Sequence, residues 1–258
     1  MKLPISYGRQ YISDGDIQAV VETLKSDYLT CGPKIPEFEQ AFCEYVHAKY
    51  SVAVCNATAA LHIAAMALGV KEGDNVICTP MTFASSANCI RFCGGNVRFV
   101  DIDPETYLLD INKLKEILST APKGTYKGMV LVDFAGYPHN MEEYRKVADE
   151  YGMWILEDAC HAPGAYFIDS TGERVYCGCG KYSDITVFSF HPVKHITTGE
   201  GGMACTQNKE YYEKMALYRT HGITHEAEKL QREDGLWYYE MQELGYNYRI
   251  TDIQAALG

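Results

Sequence analysis

Short apolar, mostly β-branched runs alternate along the chain with stretches in which apolar residues recur at helical spacing. The first pair predicts a strand over 51–55, a polar turn at 56–58 and a helix over 59–68 that Gly69 ends. Further strands and helices are predicted at 75–79, 83–92, 97–100, 110–118, 128–133, 141–151, 154–158, 185–190 and 201–205. This alternation is typical of βαβ units, so we expect an α/β fold with a mostly parallel central sheet.

Composition narrows the possible partners. The 258 residues carry a formal net charge of −11, which argues against binding to nucleic acid or to an anionic membrane surface. No apolar leader follows Met1 and no stretch has the length of a membrane span, so we expect a cytoplasmic protein. The ten cysteines are interpreted as reduced, and Cys177-Gly178-Cys179 is spaced too tightly for a typical zinc pair. We therefore predict no metal ligands.

Chemically capable residues follow several of the predicted strands. They are the turn Asn56-Ala57-Thr58, the carboxylate of Asp158, and the segment from Ser189 to Lys194. Open α/β sheets bind ligands beyond the carboxyl ends of their strands. The sequence therefore predicts a binding site at this edge of the sheet.

Each candidate also has a simpler structural interpretation. The turn around Ala57 and Thr58 places amides and a hydroxyl at a helix N-terminus, which suits a phosphate, but Thr58 alone is also a good N-cap. Asp158 ends a buried strand and needs a partner, either a protonated pyridine nitrogen or a structural cation or helix cap. Phe83 suits stacking on a planar ring or plain core packing. His161 suits a hydrogen bond to a ring substituent or a structural role.

Lys194 by itself is most simply a surface lysine, yet its position relative to the other candidates favours a cofactor. A strand–turn–helix phosphate site, an Asp on a later strand and a Lys after a further strand come in the order that a pyridoxal 5′-phosphate (PLP) site needs. The lysine would attach the cofactor and move a proton, and the Asp would keep the pyridine nitrogen protonated. Thr58 and Ser189 would bind its phosphate.

Segments 56–62, 157–162, 189–194 and 245–252 resemble the DegT/DnrJ/EryC1/StrS family of sugar aminotransferases. The resemblance implies the PLP-dependent transferase type I fold, similar to aspartate aminotransferase, in a homodimer with active sites at the interface. It also implies amino transfer from glutamate to a keto-sugar nucleotide through pyridoxamine phosphate.

The resemblance also implies roles for individual residues. Lys194 matches the catalytic lysine that carries the cofactor, Asp158 the acid at the ring nitrogen, and Asn247 a residue that reaches the phosphate in the neighbouring subunit. The implied cofactor-binding residues are Ala57, Thr58, Phe83, Asp158, His161, Ser189 and Asn247.

Segments 190–202, 221–224 and 237–240 are most similar to the members of this family that act in pseudaminic acid biosynthesis. We therefore expect amination at C4 of a UDP-linked 4-keto-6-deoxy-N-acetylhexosamine. Another nucleotide-sugar aminotransferase or a PLP-dependent sugar dehydratase of the family is the alternative. Some of those dehydratases have His at the lysine position, and Lys194 argues against that type.

The resemblance divides the chain into an N-terminal arm and helix over 1–35, a PLP-binding large domain over 36–240, and the start of a C-terminal domain over 241–258. Most of that small domain is expected to be missing from this sequence. An inactive truncated fragment, or a second chain that supplies the rest, therefore stays open as an alternative.

Overall fold

The computed structural model of the protein describes residues 8–232, 235 and 237–258, so the start of the predicted N-terminal arm lies outside the described residues. The helices are α1 Asp14–Leu24, α2 Lys34–Val46, α3 Ala57–Ala67, α4 Ala84–Phe92, α5 Ile111–Thr120, α6 Met141–Tyr151, α7 Lys209–Arg219 and α8 Asp252–Leu257. The strands are β1 Tyr50–Val54, β2 Asn75–Cys78, β3 Asn96–Phe99, β4 Tyr126–Val132, β5 Trp154–Asp158, β6 Tyr166–Ile168, β7 Arg174–Tyr176, β8 Ile185–Ser189, β9 Gly202–Thr206, β10 Ile223–Thr224 and β11 Glu240–Met241.

The central sheet has seven strands in the order β1-β9-β8-β5-β4-β2-β3. Strand β9 runs antiparallel to both neighbours, and the other adjacent pairs are parallel. Helices connect most of the parallel strands, as such crossovers require. The predicted α/β fold with a mostly parallel sheet is thus confirmed. Register pairs Val132 with Asp158 and Asp158 with Val187, so the carboxyl ends of three strands meet at one edge.

Every strand and helix predicted from the periodicity is present, with ends shifted by two residues or fewer. The largest change at the predicted site is the start of α3, which begins at Ala57 and not at 59. Asn56 is its N-cap, because the Oδ1 of Asn56 accepts the Ala59 amide at 2.8 Å. The alternative that Thr58 is the N-cap is therefore wrong. At the other end of the chain, Thr251 caps α8 through a capping box.

Helix α2 supports the strand that leads into the site. Its buried residues Phe38 and Phe42 face β8, with Phe42 and Phe188 ring centroids 5.0 Å apart and Phe38 and Phe190 centroids 5.1 Å apart. Side chains alternate across a strand, so Ser189, which lies between Phe188 and Phe190 in the sequence, points to the opposite face. The aromatic packing on one face thus fixes the direction of Ser189 on the other.

All ten cysteines are free thiols. Among the described residues, no helix is both long enough and apolar enough to span a bilayer.

Candidate active site

A cavity of about 710 Å³ opens at the carboxyl ends of β4, β5 and β8. It gathers seven of the eight residues predicted for the site: Ala57, Thr58, Phe83, Asp158, His161, Ser189 and Lys194. Asn247 is not among the residues that line it. The side chain of Asn247 is exposed, and its backbone forms a bridge to Thr220. Its role toward a neighbouring subunit stays a prediction.

The N-terminus of α3 forms one wall of the cavity. Its first amides, at Ala57 and Thr58, have no carbonyl partner within the helix because they lie in the first turn. Gly202 on β9 packs directly against this turn, and a Cβ there would lie 2.6 Å from the Ala57 nitrogen. Gly202 pairs with Ser189 in the sheet, which brings the serine to the same end. This wall therefore offers amide and hydroxyl donors suited to a phosphate.

Asp158 forms the buried floor of the cavity, with only 5% of its surface exposed. Its Oδ2 accepts a 2.5 Å hydrogen bond from the Ser86 hydroxyl, and its Oδ1 accepts the Cys160 amide at 3.2 Å. No Lys, Arg or His of the described chain lies within ion-pair distance of this carboxylate, so a structural ion pair is not its function here. A buried carboxylate needs a cationic partner. The protonated ring nitrogen of PLP fits that requirement.

Lys194 lies on the loop that follows β8, where its amide donates to the His191 carbonyl at 2.9 Å. The side chain is half-buried and lines the cavity, so it is not the plain surface lysine of the simpler interpretation. Burial lowers the pKa of the His161 imidazole, and the positive charge of Lys194 lowers it further. His161 is therefore neutral at pH 7 and able to donate or accept a hydrogen bond.

Phe83 precedes the first turn of α4 at the N-cap position. Its side chain is 75% exposed and lines the cavity. Core packing is therefore wrong as an explanation for this aromatic residue, and its face is available for a planar ligand.

A buried polar cluster behind the cavity was not predicted from the sequence. Asp133, directly after β4, donates its amide to the Asp158 carbonyl at 3.1 Å and also lines the cavity. Its carboxylate accepts the Cys177 thiol at 3.4 Å and lies 2.9 Å from His139 Nδ1. Burial lowers the pKa of His139 to about 4, so this contact is a hydrogen bond of a neutral imidazole and not an ion pair.

Glu157 completes this cluster. Its Oε2 accepts hydrogen bonds from Ser183 at 2.9 Å and Thr186 at 2.6 Å. Burial, reinforced by the charge of Asp133, raises the pKa of Glu157 to about 8, and burial raises the pKa of Asp133 to about 7. Cys177, Asp133 and Glu157 place their sulfur and oxygen atoms within 4.8 Å of one another. Because both pKa values are raised, the carboxyl groups of Asp133 and Glu157 retain protons near neutral pH. The position of Asp133 at a strand end was the sequence signal that could have identified it.

The sequence matches the family model described as the DegT/DnrJ/EryC1/StrS aminotransferase family over residues 10–258. A UDP-4-amino-4,6-dideoxy-N-acetyl-β-L-altrosamine transaminase from Campylobacter jejuni is 41% identical over 255 residues, which cover 98% of this chain and 63% of that protein. The chain thus spans less than two thirds of the length of this relative.

Solved structures of aminotransferases are also similar to this chain. Helicobacter pylori PseC, an aminotransferase involved in the biosynthesis of pseudoaminic acid, superposes with a TM-score of 0.86 at 30% identity, covering 98% of this chain and 63% of that one. A Streptococcus pneumoniae protein described as a sugar aminotransferase, in its PMP form, gives a TM-score of 0.85 at 29% identity, with coverages of 99% and 66%. The Streptococcus protein also has a PLP form, with a TM-score of 0.83 at 28% identity and coverages of 99% and 65%.

Proposed function

The chain belongs to the DegT/DnrJ/EryC1/StrS aminotransferase family, and on that premise we propose that it binds PLP at Lys194 and transfers an amino group to a nucleotide-linked keto sugar. The type I transferase fold that the sequence resemblance implied is confirmed by the likeness to aminotransferases of known structure. The observation that carries the proposal is the pairing of Lys194 with Asp158 in one cavity, because Asp158 is a buried carboxylate without a cationic partner among the described residues.

The finer proposal is that glutamate donates the amino group and that C4 of a UDP-linked 4-keto-6-deoxy-N-acetylhexosamine receives it. The names of the altrosamine transaminase from Campylobacter jejuni and of PseC from Helicobacter pylori support this choice of sugar. Substrate specificity rests on few side chains, so it needs its own test.

PLP, when bound, supplies an electron sink for the carbon that loses or gains a proton. The carboxylate of Asp158 would accept a hydrogen bond from the protonated ring nitrogen and so stabilise its proton. The amino group of Lys194 would attach the cofactor and, once released from it, would move the proton at the reacting carbon. Neutral His161 offers a hydrogen bond to the ring substituents without adding charge.

The remaining residues bind and orient the cofactor. The first amides of α3 and the hydroxyls of Thr58 and Ser189 would hold the phosphate, and Phe83 would cover one face of the ring. We propose a homodimer in which Asn247 reaches the phosphate site of the partner. The exposed side chain of Asn247 is accessible to such a partner.

Adding PLP to the purified chain tests the proposal. We expect a visible absorption band that requires Lys194, that changes when glutamate is added, and that the Lys194→Ala variant lacks. Incubation with the UDP-linked keto sugar should then give a product whose mass shows gain of an amino group. A wild-type chain that leaves the absorption spectrum of free PLP unchanged would refute the proposal, and a product that has lost a hydroxyl without gaining nitrogen would identify a dehydratase.

A further inference from the structure

A chain of two hydroxyl groups leads to the carboxylate of Asp158 from behind. Ser86, on α4, is 0% exposed, and its Oγ lies 2.5 Å from Asp158 Oδ2. Thr82 Oγ1 lies 2.7 Å from the same Ser86 Oγ. Thr82 lines the cavity, whereas Ser86 is not among the lining residues. Ser86 therefore contacts the site only through other side chains.

In this row of hydrogen bonds, the donor and the acceptor of each bond can be assigned. An ionised carboxylate only accepts hydrogen bonds, so Ser86 must donate its single hydroxyl proton to Asp158. The oxygen of Ser86 is then left as an acceptor, and Thr82 must donate to it. Both hydroxyl dipoles thus point toward the negative charge, an arrangement in which each bond strengthens the next.

The carboxylate of Asp158 depends on this donor because little else compensates its burial. It is buried, and no Lys, Arg or His of the described residues lies within ion-pair distance of it. A buried carboxylate oxygen without a hydrogen-bond donor is costly. Ser86 supplies a charge-assisted bond to Oδ2.

The same bond also fixes the orientation of the carboxylate. Ser86 binds Oδ2 and the Cys160 amide binds Oδ1, so both oxygens are restrained. Groups that orient a ligand-binding residue in this way commonly tune its affinity. Helix α4 thereby acts on the site through a side chain that never touches the ligand.

We propose that Ser86 is a positioning residue that holds the Asp158 carboxylate aimed at the cofactor ring nitrogen, with Thr82 polarising the Ser86 hydroxyl. This inference rests on the proposed function, because it assumes that PLP binds in the cavity.

The test compares two ligands, PLP and 1-deazapyridoxal phosphate, in which a C–H group replaces the ring nitrogen. Equilibrium dialysis measures the affinity of the apo chain for each. We expect Ser86→Ala to weaken PLP binding about tenfold, equivalent to about 1.4 kcal/mol, because Asp158 loses its donor. The affinity for the deaza analogue should change less than about twofold. Its ring has no N–H group, so it donates no hydrogen bond to Asp158 that Ser86 could influence.

Two further variants separate positioning from folding. Ser86→Thr keeps the hydroxyl and should restore PLP affinity. Thr82→Val removes only the polarising donor and should weaken PLP binding about threefold, again without an effect on the deaza analogue. Ser51→Ala is the matched control, since Ser51 is a buried serine on β1 whose hydroxyl bonds the Glu39 carbonyl, outside the cavity. This variant should bind both ligands as the wild type does.

Each outcome decides. The positioning role is overturned if Ser86→Ala lowers the affinity for both ligands equally. It is also overturned if both Ser86→Ala and Thr82→Val bind PLP with wild-type affinity. If Ser86→Ala fails to fold, the difference between the two ligands in Thr82→Val decides alone. A wild-type chain that does not bind PLP refutes the proposed function and this inference with it. A wild-type chain that binds PLP beside variants that do not discriminate the ligands refutes only the inference.

Discussion

The retained protons of Asp133 and Glu157 predict how stability depends on pH. The folded-state pKa is raised to about 7 for Asp133 and about 8 for Glu157, from ordinary values of 3.8 and 4.5. The folded state therefore binds more protons than the unfolded state, and stability falls as pH rises through this range. Below pH 6.5 the neutral His139 adds an opposite dependence, since its folded pKa is lowered to about 4. The clean window is therefore roughly pH 6.5 to 8.

The magnitude follows from the number of retained protons. One excess proton across about 1.5 pH units corresponds to about 2 kcal/mol of unfolding free energy. Glu157→Gln removes one of the two titrating groups, while the amide oxygen still accepts from Ser183 and Thr186. We expect urea unfolding of the wild type to lose about 2 kcal/mol between pH 6.5 and 8, and the variant to lose half of that or less.

The control variant is Glu116→Gln, which changes an exposed glutamate on α5 by the same chemistry. It should reproduce the wild-type pH dependence. Parallel curves for the wild type and Glu157→Gln across the window would show that the buried pair is already ionised in the folded state, and the reasoning would fail.

Two further predictions concern the turn at α3 and the start of α2. Gly202→Ala should weaken PLP binding about tenfold or more, because a Cβ would lie 2.6 Å from the Ala57 nitrogen. The affinity is measured by visible absorption, and an unchanged value would contradict the close approach. Asp252→Asn should lower the unfolding free energy by about 2 kcal/mol in urea titrations, because the two carboxylate oxygens accept the Gly32 and Lys34 amides at 2.8 and 3.0 Å; a loss below about 0.5 kcal/mol would mean that these bonds matter little.

The alternating strands and helices of the sheet were predictable because each carries a local period, and the structure keeps all of them. The apolar positions of α2 recur at helical spacing as well, at Ile35, Phe38, Phe42 and Val46. Pro36 obscures this pattern in the sequence, although proline is tolerated in the first turn of a helix. Local signals were thus sufficient where no helix-breaking residue interrupted them.

The candidate site was predictable for residues that end a strand or follow one within a few positions. Asp158 ends β5 and Lys194 follows β8, and the structure places both in the cavity. Ser86 lies inside a helix, and its bond to Asp158 joins residues 72 positions apart. The contact of Glu157 with Asp133 likewise depends on the pairing of β4 with β5. Such contacts depend on packing and register, which a period along the chain does not encode.

The antiparallel strand β9 has a consequence for the order of folding. Among the described residues, β1 pairs in the main sheet with β9 alone. Val54, just before the turn at 56–58, therefore pairs with Gly202, which lies about 150 residues later in the chain. Closing such a long loop is slow, and it comes after local helices have formed. We therefore expect the turn at α3 and Lys194 to come together late during synthesis. Binding of the cofactor should then be one of the last steps of folding. In refolding experiments the visible band should lag behind the helical circular dichroism signal, and simultaneous appearance would contradict this order.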